Sequence, residues 1–443
     1  MTRPIVYFHI DEVARDAVVA ANLRRVLQAR GADLIYGNRM RSEFFGWFDA
    51  FAAFDLYIFP SLDIFQSNCR DVDSVSAPVV ILPSETVGGT TRNVDRLAAK
   101  YLGSFPDRCG PWTEKVAAFC VWGRSHLKAF DELAPGLRQK CHVVGHPRFD
   151  RRCRVPSSIS VGGQKIRVGF ISRFAALNPF DRRGILQTIY EGRKIPGQIA
   201  PMYRLSPDRD VEDRIYTESV DLRHIFEVMD SLNRSTHEMV LRTHPREDRT
   251  AWEKLIRTNS IPLKIASWDQ PFLHWVNSVD YVIGPVSTSF YDCIVAGKRP
   301  ICTMEIAPHR QSHTLAGGDD ENPILNYVFR PKSVQELVGI VSTKPKSDYL
   351  EMPDSLAEIL CLESNYPDCA TSLDRVADVC LDVLRISAHN HRARLGARVK
   401  FNAFAMADLT YRAVRGRGRE EQSSTFVLSP SRIRWINNLA FSN

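Results

Sequence analysis

The chain has 443 residues, of which 44% are hydrophobic and 25% charged, and its formal net charge is +7. At about 100–200 residues per domain, this length is enough for two hydrophobic cores. No run of about 18 apolar residues occurs, so we expect no membrane-spanning helix. The N-terminus runs directly into an apolar, strand-like segment and lacks the pattern of a signal peptide, which favours a cytoplasmic protein.

The ten cysteines are scattered and none form a C-x-x-C pair. Several lie in apolar, strand-like segments, namely Cys120, Cys141 and Cys302, which predicts reduced thiols in the core. His309 and His313 lie close in sequence, but no third ligand is evident beside them. We therefore expect neither a zinc site nor any other metal cofactor.

Short apolar runs alternate with segments of helical periodicity over the N-terminal third of the chain. The first helical pattern spans Asp11–Arg30, and Gly31 ends it. Strands that alternate with helices predict a parallel sheet with both faces covered. The predicted strands are Ile5–Ile10, Asp33–Tyr36, Leu56–Pro60, Pro78–Pro83, Ala118–Trp122 and Cys141–Val144.

Residues 152–164 have linker composition, and the alternation of strands and helices starts again after them. Residues 175–221 show little periodicity and many charges, which predicts an irregular insertion. The predicted strands of this second array are Lys165–Ile171, Glu238–Thr243, Leu263–Ala266, Tyr281–Gly284 and Pro300–Met304. Its predicted helices are Leu222–Leu232, Trp252–Arg257, Phe272–Asn277 and Ser289–Ala296.

Two such arrays predict an α/β protein of two Rossmann-like, doubly wound parallel-sheet domains that face each other across a cleft. We expect an N-terminal domain over residues 1–155, a C-terminal domain over residues 165–385 and a helical, basic extension over residues 386–443. The basic residues of the extension are consistent with contact to an anionic membrane leaflet and equally with a solvated helix face. The aromatic and glycine signatures of RNA-binding modules are missing, so we expect no nucleic-acid partner.

One candidate ligand site lies where a predicted strand ends at Gly284 and a helix begins after Ser287-Thr288-Ser289. Backbone N–H groups at a helix start, together with hydroxyl groups, bind anions such as the phosphate of a nucleotide sugar. The same residues are equally consistent with an ordinary helix cap.

A second candidate is His244, which comes directly after a predicted strand and precedes Pro245. Proline stiffens the turn that aims the imidazole, and a histidine there can donate to a phosphate and stabilise a departing nucleotide. A structural histidine is the alternative. The predicted donor-binding residues are Ser172, Arg173, Arg242, His244, Pro245, Gly284, Ser287, Thr288 and Ser289.

The His-Pro turn followed by the Ser-Thr-Ser run resembles the CMP-binding signature of GT-B sialyltransferases and Kdo transferases. N-terminal segments resemble surface carbohydrate biosynthesis proteins, which are similar to the retaining β-Kdo transferases. These segments are Phe8–Glu12, Tyr36–Arg39, Leu82–Thr86, Lys100–Ser104 and Val144–Asp150. The resemblance extends over residues 5–330, with one departure, because His146 stands where the family pattern has asparagine.

The resemblance implies transfer of a CMP-activated 2-keto sugar acid, Kdo or a related nonulosonic acid, to a surface polysaccharide or lipopolysaccharide acceptor. It implies retention by double displacement, with Asp150 matching the carboxylate nucleophile and Glu85 the acid/base. His244 is the third catalytic candidate. The predicted substrate-binding residues are Arg148, Asp11, Glu12 and Asn38.

Other interpretations of these residues and of the function of the chain remain open. Asp150 can be a cap or an ion-pair partner, and acids such as Asp11 and Glu12 also favour a helix start. An inverting transferase or a CDP-glycerol-type polymer transferase would use the same phosphate site with one base. An inactive GT-B protein would bind nucleotide or glycan as an assembly partner. The expected partners are the CMP-activated sugar acid, a glycan or lipid-linked glycan, and the inner membrane as a peripheral contact.

Overall fold

The computed structural model describes residues 3–37, 54–69, 72–75, 77–84, 94–102, 110–154, 165–182, 184–194, 211–306, 323–343, 352–387 and 436. The chain forms two compact units. The first combines Met1–Arg154 with Pro353–Asn443, and the second is Val155–Met352. Every pairing between the strands named below is parallel.

The first unit contains a six-stranded sheet in the order β2-β1-β3-β4-β5-β6. The strand order reverses at β1, which pairs with both β2 and β3. The strands are β1 (Ile5–His9), β2 (Asp33–Gly37), β3 (Leu56–Phe59), β4 (Val79–Ile81), β5 (Val116–Val121) and β6 (Cys141–Val143). The first helices are α1 (Val13–Ala29), α2 (Leu62–Asn68), α3 (Val94–Leu102), α4 (Pro111–Lys115) and α5 (Leu127–Leu133).

Alternate residues of these strands enter two different hydrophobic cores, because successive side chains of a strand point to opposite faces. Val6 and Phe8 of β1 pack in the core that includes residues of α1. Tyr7 packs in the other core, with residues of α2, α3 and α5. The strands are therefore apolar on both faces, as a buried parallel sheet requires.

The second unit contains a five-stranded sheet in the order β11-β10-β7-β8-β9. The strands are β7 (Ile166–Ile171), β8 (His237–Arg242), β9 (Leu263–Ile265), β10 (Tyr281–Gly284) and β11 (Ile301–Cys302). The helices are α6 (Ile185–Lys194), α7 (Val211–Ser231), α8 (Arg249–Asn259), α9 (Phe272–Asn277), α10 (Ser289–Val295) and α11 (Val334–Val341). A Cβ atom on Gly169 would lie 2.8 Å from the Trp275 ring, so this glycine lets α9 pack closely on β7.

All the predicted strands are confirmed, with small differences at their ends. The irregular insertion expected over residues 175–221 is wrong in part, because α6 lies inside it and α7 begins at Val211. Among the described residues, no helix is both long and apolar enough to cross a bilayer. The cysteines there are free thiols, and all except Cys141 and Cys361 are buried.

The chain returns to the first unit through α12 (Asp354–Ser364) and α13 (Ser372–Ser387). The expected boundary at residue 385 is therefore wrong, since these helices belong to the first unit. Apolar residues of α13, including Val376 and Ala377, complete the core that contains α1. The amino-acid composition of these helices does not indicate to which unit they belong, because an amphipathic helix can pack on either domain equally well.

Asp150 anchors the start of α13. Its carboxylate accepts the Leu373 N–H at 2.9 Å and the Arg152 N–H at 2.9 Å. The Arg152 guanidinium lies 3.4 Å from the same carboxylate and 2.8 Å from Asp374. Asp150 is fully buried. Its bond to the Leu373 N–H connects the N-terminal part of the first unit to a helix that begins more than two hundred residues later.

Replacement of Asp150 tests this anchor. Asp150→Ala leaves the Leu373 N–H and the Arg152 guanidinium without their buried acceptor, and we expect the free energy of unfolding to fall by about 3–5 kcal/mol. Asp378→Ala is the control, because its ion pair with Arg30 is exposed and is worth less than about 1 kcal/mol. Urea denaturation measures both; wild-type stability of Asp150→Ala would contradict the anchoring role.

Candidate functional site

The strand order of the second sheet reverses at β7, which lies between β10 and β8. In open α/β sheets, ligands bind outside the carboxyl ends of the strands at such a point. Ser172 and Arg173 follow β7, His244 follows β8, and Pro285 follows β10. The fold therefore brings the predicted donor-binding residues of three separate segments to one edge.

Ser172 joins the ends of β7 and β8. It is fully buried, its hydroxyl accepts the His244 N–H at 2.8 Å and donates to the Arg242 carbonyl at 3.2 Å. Its own N–H donates to the same carbonyl at 3.0 Å. The main chain that carries His244 is thus fixed by the neighbouring strand.

The imidazole of His244 is oriented by its own turn. Pro245 has no N–H, so the first main-chain donor after the histidine is Arg246, and this N–H bonds to His244 Nδ1 at 3.2 Å. With Nδ1 acting as an acceptor, the proton of the neutral ring lies on Nε2. His244 is only half-buried, so a ligand can reach this ring. Its Nε2–H group is a hydrogen-bond donor suited to a phosphate oxygen.

Arg173 links β7 to the turn after β10, because its guanidinium donates to the Val286 carbonyl. Gly284 allows this approach, since a Cβ atom there would lie 3.1 Å from the Ile171 side chain and carbonyl. The Ser287 hydroxyl accepts the Ser289 N–H at 3.2 Å, whereas the N-cap residue of this helix, Thr288, makes no side-chain cap hydrogen bond. Thr288 and Ser289 are half-buried at the same edge.

Arg242 points along the edge toward β9, where its guanidinium donates to the Ser267 carbonyl at 2.8 Å. Arg173, Arg242 and Arg246 are all half-buried. Three arginine cations and a histidine therefore follow the strand ends of this unit, which favours an anionic ligand. Within the described ranges, no group of three or more His, Cys, Asp or Glu residues is placed to hold a metal ion.

Glu247 is a residue of this edge that the sequence did not reveal. It is 5% exposed, and its carboxylate accepts the Phe174 N–H at 2.7 Å and the Trp252 indole N–H at 2.8 Å. Burial raises its pKa to about 7, against hydrogen bonds from Phe174 and Trp252 that lower it. Its position directly after the His-Pro-Arg turn was the available signal, but nothing in the spacing indicated burial.

The predicted residues of the first unit have a different setting. Burial raises the pKa of Asp150, although the N–H groups of Arg152 and Leu373 act in the opposite direction. A buried carboxyl held by two main-chain donors has the contacts of a cap, which was the alternative to a nucleophile. Arg148 is half-buried, and its N–H donates to His146 Nδ1 at 3.3 Å. Glu85 and Asn38 lie outside the described residues.

Asp11 and Glu12 lie at the carboxyl end of β1, where the first sheet reverses its strand order. The Asp16 carboxylate accepts both of their N–H groups, at 3.0 and 2.9 Å. Arg15 pairs with Asp11 at 3.0 Å and donates to the Ser84 hydroxyl at 3.0 Å. The cluster therefore connects the start of α1 with the end of β4, and Glu12 is buried in it.

No protein-family model matches the sequence, and no curated protein matches it significantly. Solved structures do match. A histidine-to-asparagine variant of the wall teichoic acid polymerase TagF is similar with a TM-score of 0.53 and 9% identity, over 88% of this chain and 91% of that chain. The same variant with CDPG has a TM-score of 0.50 and 9% identity, over 88% and 90%.

At such low identity the likeness concerns the fold alone. It agrees with the architecture of the two units, each built on a Rossmann-like parallel sheet of six or five strands. The fold class is therefore GT-B, as the sequence predicted.

The raised pKa of Glu247 gives the stability a defined pH dependence. A carboxyl whose pKa rises on folding, here from 4.5 to about 7, stabilises the fold fully below its unfolded pKa. This contribution is lost as the pH rises through about 7, and at about 1.4 kcal/mol per pH unit it amounts to roughly 3 kcal/mol. Glu247→Gln cannot titrate and should lack this trend.

Urea denaturation of wild type and Glu247→Gln from about pH 5 to about pH 8 measures the difference. The wild type should lose stability relative to the variant as the pH rises. Glu253→Gln, at an exposed position of α8, is the control and should follow the wild type. A difference that does not change with pH would overturn the prediction.

Proposed function

We propose that this chain is a transferase that takes its donor group from a cytidine nucleotide and releases CMP. The observation that carries the proposal is the orientation of His244, whose Nδ1 accepts the Arg246 N–H and whose Nε2 therefore carries the proton. A donor held in advance at a phosphate oxygen stabilises the negative charge that develops as the leaving group departs. Arg173 and the other cations of the same edge support an anionic donor.

The first donor class is a CMP-activated 2-keto sugar acid, Kdo or a related nonulosonic acid. Transfer breaks the bond between the anomeric carbon and the phosphate oxygen, and the acceptor hydroxyl forms the new bond to that carbon. The resemblance of the His-Pro and Ser-Thr-Ser segments to CMP-binding glycosyltransferases supports this class. The acceptor would be a glycan or lipid-linked glycan of the cell surface, with a peripheral contact of the basic residues 392–419 at the inner membrane.

The second donor class is a CDP-alcohol such as CDP-glycerol. Transfer then breaks a phosphate–oxygen bond of the pyrophosphate, and the alcohol phosphate passes to the acceptor while CMP again departs. The TagF variant with CDPG supports this class. The buried cap contacts of Asp150 also favour it, because direct displacement needs a single base, for which Glu85 is the candidate, and no covalent nucleophile.

Both donor classes place the departing CMP phosphate at the edge of the second sheet. We propose that no metal is required, since the half-buried arginines and His244 supply the compensating charge and hydrogen bonds there. The two donor classes differ in which bond breaks. The first would leave a sugar acid on the acceptor and the second an alcohol phosphate, so the product distinguishes the two classes.

Two substitutions of His244 separate its two nitrogens. Asparagine places an oxygen near the Nδ1 position and keeps an acceptor for the Arg246 N–H, but it lacks the Nε2 donor; glutamine supplies an N–H near Nε2. We expect His244→Asn to lower kcat for CMP release by about 10²–10³-fold. His244→Gln should retain more of the activity. Equal loss in both variants would contradict a role for the Nε2 donor.

His146→Asn is a matched control, because His146 opens the same His-Pro-Arg turn in the first unit but is fully buried. It should release CMP at the wild-type rate per folded molecule.

The donor assignment is tested by CMP release from CMP-Kdo, a CMP-sialic acid and CDP-glycerol with a surface-glycan acceptor. Under the first class only the CMP-sugars turn over, and NMR of the product gives the anomeric configuration. Retention with a sugar adduct on Asp150 would establish double displacement, whereas inversion would exclude it. Glu85→Ala should abolish turnover in either class and leave CMP binding intact. Failure of all three donors, with no CMP binding, would overturn the proposed function.

A further inference from the structure

We propose that Glu247 is a positioning residue of the donor site: its buried carboxylate bonds the segment that carries Arg173, and its main chain closes the turn that carries His244. The inference rests on the proposed function, because it concerns how the phosphate site is kept in shape. Glu247 itself is buried and acts through the groups that it bonds.

The first link is to the segment after β7. Glu247 Oε1 accepts the N–H of Phe174 at 2.7 Å, and Phe174 directly follows Arg173. The peptide that carries the Arg173 guanidinium toward the Val286 carbonyl is therefore bonded to Glu247.

The second link is to the histidine turn. The Glu247 N–H donates to the His244 carbonyl at 3.0 Å, which closes the His-Pro-Arg turn. The Ser172 hydroxyl accepts the His244 N–H at 2.8 Å. The turn is therefore fixed at its start by Ser172 and at its end by the main chain of Glu247.

The third link is to α8, where Glu247 Oε2 accepts the Trp252 indole N–H at 2.8 Å. The two N–H donors bond different oxygens of the carboxylate, and in a glutamine one of these two positions would carry an NH2 group, which donates and cannot accept. Burial of a carboxylate is costly, so a glutamate here is explained by the donors that it must satisfy together.

A neighbouring carboxylate provides the comparison. Glu218 of α7 is also 5% exposed, and it accepts the N–H groups of Ala176 at 2.7 Å and Leu177 at 3.1 Å. It holds the next stretch of the same segment, at the N–H groups of Ala176 and Leu177 rather than that of Phe174. Glu218→Gln therefore removes a buried carboxylate from the same segment but leaves the Glu247 hydrogen bonds to Phe174 and Trp252 in place. Its effect on Glu247 is electrostatic, since the Glu218 charge contributes to the raised pKa of Glu247.

The experiment measures CMP binding by calorimetry and CMP release for Glu247→Gln and Glu218→Gln. Substitution of residues that orient metal ligands costs about 10–100-fold in metal affinity or activity, and Glu247 orients the donor site in a comparable way. We expect a loss of that size in Glu247→Gln, whereas Glu218→Gln should bind CMP as the wild type does. Urea denaturation at the assay pH confirms that each variant is folded.

A double variant shows whether the effect passes through His244. If Glu247 acts by positioning His244, His244→Asn combined with Glu247→Gln should lose much less than the product of the two single losses. Independent, multiplicative losses would overturn the link to His244. Should Glu247→Gln fail to fold, Trp252→Phe removes one of the two N–H donors and keeps an aromatic ring, and a smaller loss of CMP affinity is expected.

The outcomes distinguish this inference from the proposed function. If the wild type does not bind CMP, both the positioning role of Glu247 and the proposed function are wrong. CMP binding that His244→Asn weakens, and that Glu247→Gln leaves at the level of Glu218→Gln, would overturn the positioning role while the proposed function stands.

Discussion

The hydrogen bond between the Ser172 hydroxyl and the His244 N–H is the contact on which the candidate site depends. It crosses from the end of β7 to the end of β8, and it fixes where the His-Pro-Arg turn begins. From that starting point, the missing N–H of Pro245 leaves Arg246 to bond Nδ1, and the ring presents its proton at Nε2. A parallel sheet supplies the rest, since its strand ends meet at one edge.

The chain contains the same turn twice, with different results. His146-Pro147-Arg148 and His244-Pro245-Arg246 both place the arginine N–H on the histidine Nδ1, at 3.3 and 3.2 Å. The ring of His146 stacks on Trp122 at 3.9 Å and is fully buried, whereas His244 is half-buried. The turn therefore sets the tautomer of each ring, and the surroundings decide whether a ligand can use it.

The fold could be predicted because buried parallel strands are nearly continuous apolar runs, as in Ile166–Ile171. Hydrogen-bond partners that lie far apart in the sequence could not be predicted. Asp150 follows a strand in a motif that indicates chemistry, but its carboxylate accepts the N–H of Leu373, 223 residues later. Glu247 accepts the N–H of Phe174, 73 residues earlier, and no spacing in the sequence indicates that contact. The residue types in the sequence were enough to predict the donor-site candidates. Only the structure shows which carboxylates are buried and hold other segments, and which are exposed.

The return of α13 to the first unit has a consequence for biosynthesis. A ribosome that has released residues 1–154 has not yet made the helix whose Leu373, Val376 and Cys380 complete the core around α1. The inserted unit, Val155–Met352, contains its whole sheet and is synthesised before α13, so it can form during translation. We expect the first unit to finish folding after the inserted unit, with its apolar face open to chaperones until α13 has been synthesised. Hydrophobic-dye binding to chains stopped before residue 372 would reveal that open face.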